Sequence, residues 1–210
     1  KGELIGADRL ENKIFASQII DAYSKVGYDN PNQAKRALDN INELSQTYPH
    51  DLGVNDILNA TSEIICIADP NPDVAESAFY LLNHINSNNA EEASKMLSLY
   101  KTISFDNPDL AEAAIMKMRK IFNAFPHDEK LQKECLSTLE SLNGFRSKFD
   151  DETKQKLDTH SKSMKSKIDA ETIKKAQGKE TTWKAPTTSN SQRSSTNTQT
   201  YSNFGNTYGM

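Results

Sequence analysis

Apolar residues in this chain recur at helical spacing behind three Asn-Pro steps. Pro31, Pro72 and Pro108 are each followed by alanine three residues on (Ala34, Ala75, Ala111) and again six on (Ala37, Ala78, Ala114). Larger apolar side chains follow at seven (Leu38, Phe79, Ile115), ten (Ile41, Leu82, Met118) and thirteen (Leu44, Ile85, Ile121). Steps of three and four line such residues along one side of a helix, so each segment predicts an amphipathic helix. Asn30, Asn71 and Asn107 offer a capping side chain, and a first-turn proline gives up only a donor that has no intrahelical acceptor. The copies lie 41 and 36 residues apart (72 − 31 and 108 − 72), a length that fits a repeated helix pair. The paired alanines predict places where a neighbouring helix approaches closely.

A second apolar set follows each copy. Val54, Ile57, Leu58, Ile64 and Ile65 predict a helix over 54–68; Ala93, Met96, Leu97, Tyr100 and Ile103 one over 91–104; Leu131, Cys135, Leu139 and Leu142 one over 129–143. The linkers Tyr48-Pro49-His50-Asp51 and Phe125-Pro126-His127-Asp128 are nearly the same, with proline stopping one helix and aspartate placed to cap the next. The middle copy uses Asn88-Asn89-Ala90-Glu91-Glu92 instead. Ahead of the first copy, residues 8–26 predict a helix whose Leu10, Ile14, Phe15, Ile19, Ile20, Tyr23 and Val26 share one side, closed by Gly27. It has the form of the second half of an incomplete unit, so an exposed groove on its N-terminal side or a missing upstream neighbour is expected.

The fold expected is all-α: antiparallel helix-pair repeats stacked into a short α-solenoid over residues 1–149, with Gly144 ending the array and Phe145 and Phe149 docking on its last unit. Residues 150–180 then read as a lysine-rich helix with a thin stripe of Leu157, Met164 and Ile168. It serves as a cap on the array or as a face for a partner helix, the cap being favoured. In 181–210, 19 of 30 residues are Ser, Thr, Asn or Gln and acids are absent. Such a segment buries too little to offset its ordering entropy, so a disordered tail is expected. Trp183, Tyr201, Phe204 and Tyr208 are spaced within it. They are either incidental aromatics or an adhesive motif that folds onto a partner.

Charge narrows the function. Residues 1–149 hold 15 Lys/Arg against 22 Asp/Glu (−7), 150–180 hold 8 against 7 (+1), and 181–210 hold 2 against 0 (+2), giving −4 in all. An acidic body without a basic stripe argues against nucleic acid, whose binding rests on phosphate neutralisation. No apolar run approaches the ~20 residues that span a bilayer. Cys66 and Cys135 lie among apolar residues and read as buried free thiols, with a mutual disulfide or a metal role as alternatives. Two cysteines make no disulfide framework, which favours a reducing, cytoplasmic setting. The chain opens at Lys1 without Met, so a fragment of something longer is one reading of it, and an export signal is one reading of the tail.

Candidate chemistry is sparse. His50-Asp51 and His127-Asp128 occupy equivalent turns, and a His-Asp pair can orient a base or a metal ligand, yet neither has a third ligand at metal spacing. His84 reads as a helix-surface residue and His160 as part of the lysine-rich helix. Asp29, Asp69 and Asp106 precede the prolines as helix-start acids. Phosphate loops, nucleophile elbows and Cys/His metal spacings are missing, so catalytic, cofactor and metal residues are all expected to be none. Asn59-Ala60-Thr61 matches a glycosylation sequon but falls mid-helix.

The copy around Pro72, with Asp73-Val74 followed by Ala78 and Leu82, resembles a HEAT or armadillo-type unit over about residues 8–144. Many HEAT units carry arginine after the valine, where this chain has Ala75, so the inter-repeat Asp–Arg ladder of that family is not implied. Tetratricopeptide repeats are a second option, but their ~34-residue period is shorter and their tryptophan is missing from these copies. The resemblance implies a surface for binding protein segments. The expected function is therefore a non-enzymatic interaction scaffold with a protein partner. The alternatives are a structural subunit whose tail orders on assembly and, less favoured, an enzyme using one of the His-Asp turns.

Overall fold

The computed structural model describes residues 2–25, 30–49, 52–68 and 70–180, with the backbone alone for 2–12 and 178–180. Every regular element among them is helical: α1 (Gly2–Lys25), α2 (Pro31–Thr47), α3 (Val54–Ile67), α4 (Pro72–Asn83), α5 (Ala90–Asp106), α6 (Ala111–Ala124), α7 (Glu129–Leu142) and α8 (Asp151–Glu180). Three-residue and six-residue 3-10 turns, Pro108–Leu110 and Asn143–Lys148, precede α6 and α8. The chain divides into a compact unit, Lys1–Ile173, and a second unit, Lys174–Met210; the packing below belongs to the first. The expected tail lies outside the described residues.

The three Asn-Pro steps fold alike. Asn30, Asn71 and Asn107 sit at φ −138°, −139° and −135°, and each side chain accepts a hydrogen bond from a backbone N–H in the turn that follows. The donors are Asn32 (2.9 Å), Asp73 (3.0 Å) and Asp109 (3.2 Å). Each proline occupies the first turn, where its missing N–H costs nothing. The third copy differs in that its first turn winds as a 3-10 helix, with Ala111 N–H donating to the Pro108 carbonyl before α6 begins. Asp106 does not start a helix as expected. It ends α5, and burial raises its carboxyl against the opposing pull of Lys148.

Packing follows the alanines. The most extensive pairing in the unit is α2 with α4, and Ala34, Ala37, Ala75 and Ala78 are all buried. Side chains of one carbon let helix axes approach, while Leu38, Ile41, Leu82 and Phe79 fill the flanking space within one continuous core. The second helices lie side by side in chain order, joined by a series of polar contacts. Ser17 Oγ donates to Asp56 (3.1 Å), Lys95 Nζ to Asn55 (3.1 Å), and Ser94 Oγ to the Glu134 carboxylate. The partners are 39, 40 and 40 residues apart, one unit per step. The first-helix side is less regular: α6 packs mainly on α5, and a cleft of about 210 Å³ opens between α4 and α6 beside Asn83 and Lys117.

The lysine-rich helix is docked along the array. Thr153, Leu157, His160 and Met164 are buried and Ile168 half-buried against the core. Lys156 pairs with Glu112, and Lys167 Nζ donates to Asn123 (3.2 Å); both pairs are 44 residues apart, so α8 runs parallel to α6. Arg146 clasps Asp158 through two bonds of 2.6 and 2.7 Å. Phe149 is buried, and Phe145 stacks on Phe105 with ring centres 4.0 Å apart.

Two expectations need correction. Cys66 is exposed, whereas Cys135 is buried and its thiol is pushed up to about 12 by desolvation, with both cysteines free. Cys66 follows Ile64 and Ile65, which already fill the inward face of α3; one step of about 100° turns the next side chain outward. On α1, Ile14 and Phe15 are 50% and 66% exposed, while the inward line is Ala16, Ile20 and Ser24. Leu10, Val26 and Gly27 lie outside the described side chains.

Ala78→Leu should cost about 1–3 kcal/mol through overpacking where α2 and α4 meet, read as a fall in urea midpoint at constant slope. His160 gives a pH test. Burial, helped by Arg119 and Lys156, holds its pKa below the ordinary 6.5. Below about pH 6.5 the unfolded chain therefore takes up this proton before the folded one does, and stability falls with acidification. His160→Gln should flatten the decline in urea midpoint between neutral pH and about pH 5.

Candidate docking groove between α1 and α3

An open groove lies where α1 and α3 meet, with a volume of about 560 Å³. Its floor comes from the inward positions that pack the helices together, Ile20 of α1 and Ala60 of α3, both buried. Small Ala60 leaves the depression open. One wall carries Ile14, half exposed, the polar rim comprises Ser17, Gln18 and Asn59, and Ser24 is buried. Its lining carries three carboxylates, Asp21, Asp56 and Glu63, and Lys13, with Lys25 bonded to Asp21 and Lys95 to Asn59 at its edge.

Each rim group has a local reason to be where it is. Asp56 lies in the first turn of α3, where a carboxylate suits the positive helix end, and it accepts the Ser17 hydroxyl across the groove at 3.1 Å. Asp21 pairs with Lys25 one turn on at 2.5 Å, but both side chains are more than half exposed, so the pair adds little to stability. The groove thus combines exposed apolar surface, hydrogen-bonding groups and carboxylates.

The other residues singled out from sequence do not converge. Asp128 caps α7, accepting Leu131 N–H at 2.9 Å, and His127 beside it is exposed in the turn. His84 is exposed, with Nδ1 2.9 Å from the Tyr80 carbonyl. His160, on the lysine-rich helix as expected, is buried. His50, Asp51, Asp29, Asp69 and the aromatics Trp183, Tyr201, Phe204 and Tyr208 lie outside the described residues. Among the described residues, no group of three or more His, Cys, Asp or Glu could hold a metal ion, and no helix is long and apolar enough to cross a membrane.

Sequence reasoning expected an exposed groove on the N-terminal side of the first helix, not between it and α3, and named none of these carboxylates, because Asp21 and Asp56 come together only once α1 packs on α3. No family model, curated protein or solved structure matches the chain.

Because the rim is exposed and its ion pairs weak, the double substitution Asp21→Lys/Asp56→Lys should shift stability by no more than about 0.5–1 kcal/mol. Equilibrium urea unfolding at moderate salt checks this. A larger loss would mean that the carboxylates hold α1 to α3.

Proposed function

We propose that this chain is a non-enzymatic interaction scaffold, in which a HEAT- or armadillo-like array of helix pairs presents the α1–α3 groove to a protein partner. The observation that carries the reading is the pairing of exposed Ile14 and a buried apolar floor with three carboxylates on the rim. An apolar groove favours an amphipathic helix laid in by its greasy face, and the carboxylates select lysine or arginine beside that face. The partner segment is thus a basic amphipathic helix. The same acidity disfavours nucleic acid.

The polar side chains with the most distinctive partners serve the fold: Gln132 Nε2 donates to the Phe122 and Phe125 carbonyls at the end of α6, and Thr61 and Ser104 close onto their own helices. A cytoplasmic setting fits a chain with one exposed and one buried free thiol. The segment carrying Trp183, Tyr201, Phe204 and Tyr208 supplies a second adhesive element within the same proposal.

Panning a displayed library of helical peptides against the full chain tests the groove. Recovered peptides should carry Lys or Arg flanking an apolar stripe, and binding should fall at least ~10-fold on Asp21→Lys/Asp56→Lys. Peptides that bind the reversed variant as well as the wild type would place recognition elsewhere.

A further inference from the structure

Basic charge without a partner collects in the cleft of about 210 Å³ between α4 and α6. Lys117 and Lys120 stand three residues apart on α6, with Ile121 and Ala124 continuing the same face, so both lysines border one opening. Among the described residues neither lysine has an ion-pair or hydrogen-bond partner, and no carboxylate lines the cleft. That is an exception within residues 1–149, where 22 acids outnumber 15 bases. Lys117 is half-buried, and desolvation together with Lys120 lowers its pKa from the ordinary 10.5. Like charges a turn apart work against the helix that carries them, and a bound anion would remove that repulsion.

The α4 side offers polar groups in the same condition. Asn83, the last residue of α4, and Asn86 and Ser87 in the loop after it line the cleft, and none of their side chains is hydrogen-bonded among the described residues. The Asn83 Oδ1 is buried besides, whereas a buried amide is ordinarily held by the fold. An amide so released can turn its NH2 towards an acceptor in the cleft. The Leu81 and Leu82 carbonyls at the end of α4, which would repel an anion, are taken up by the His84 and Ile85 N–H groups. Buried Met96 and Ile121 add apolar lining.

Charge and size together decide among occupants. A single carboxylate neutralises one lysine and leaves the other. A phosphate monoester carries about −1.5 to −2 at neutral pH and three acceptor oxygens, enough for both lysines and an amide. The cleft takes that group on a short apolar stem, being smaller than the ~300–1,000 Å³ pockets that enclose drug-sized ligands. We infer that the α4–α6 cleft binds a phosphate monoester, with Lys117 and Lys120 holding the phosphoryl oxygens, Asn83 donating to one of them, and the stem against Met96 and Ile121. The phosphate arrives on a small molecule or on a phosphorylated side chain, and the recognising chemistry is the same for both. This site is separate from the α1–α3 groove and does not depend on the groove reading.

Amide NMR of the full chain titrated with phenyl phosphate is the test. Saturable shifts should centre on residues 82–87 and 117–124, and the Lys117 titration midpoint, followed at its Cε, should rise once the phosphate is bound. Phenylacetate, a monoanion of similar stem, should bind at least ~10-fold more weakly, and inorganic phosphate, lacking the stem, more weakly than the ester. Lys117→Gln/Lys120→Gln should weaken phenyl phosphate at least ~10-fold, with an unchanged or raised urea midpoint showing that the variant folds. A peptide with one central phosphoserine separates the sources: tighter binding than phenyl phosphate assigns the site to a phosphorylated protein segment, weaker binding to a small phosphate ester. No saturation by phenyl phosphate or the phosphopeptide up to roughly 10 mM, phenylacetate binding as tightly, or binding that survives in the double variant overturns the inference.

Discussion

Everything in this fold depends on the lateral contact between a helix and its counterpart one unit along the chain. A single amphipathic helix pair of some 38 residues leaves too much apolar surface in water to offset the entropy of ordering it. Here the sealing surface is the next pair. The buried alanines of α2 and α4 let those helices come close, and the polar bonds linking α1, α3, α5 and α7 at 39 to 40 residues set the register of one unit on the next. Stability in such an array approximates a sum of neighbour terms. The asparagine caps ahead of each proline then do a second job, since they fix where every first helix starts and hence which alanines meet.

Much of this was legible because the signals are local. Asn-Pro steps and the Pro126-His127-Asp128 linker mark starts and stops through local backbone chemistry, whereas α3 after Pro49 is capped by Gly53 rather than by the aspartate expected there. What misled the reading was the assumption that large apolar side chains mark the inward face. On α1 the pairs Ile14-Phe15 and Ile19-Ile20 spread around the helix, and packing selected Ala16, Ile20 and Ser24, two of which carry little hydrophobic signal. On α8 the stripe looked thin because Thr153 and His160, both polar, complete a line at 153, 157, 160 and 164. A hydroxyl and an imidazole are hidden from a hydropathy pattern but not from a neighbouring helix.

Cys66 and the third Asn-Pro copy show a different limit. Four consecutive apolar residues, Ile64 to Ile67, cannot all face inward when each step turns about 100°, and which pair wins is decided by what stands opposite. Cys66 and Ile67 lost and are exposed. At the third copy the motif is intact, yet its first turn tightens into a 3-10 turn and α6 leans on α5 rather than α4. The cleft beside Asn83 and Lys117 is where the stack loses its regularity, and the Asn83 Oδ1 buried there has no hydrogen-bond partner.

The groove between α1 and α3 illustrates why a recognition surface is harder to read than a fold. Its floor is ordinary core, its depth comes from Ala60 being small, and its sign comes from carboxylates more than 30 residues apart in sequence. None of these carries a motif. The charge sum over residues 1–149 did register that the body is acidic, and the sum over 150–180 that the following helix is not. A sum over a segment cannot say which of its charges share a surface: Asp21 and Asp56 stand together because α1 packs on α3, and Asp21 meets Lys25 on its own helix.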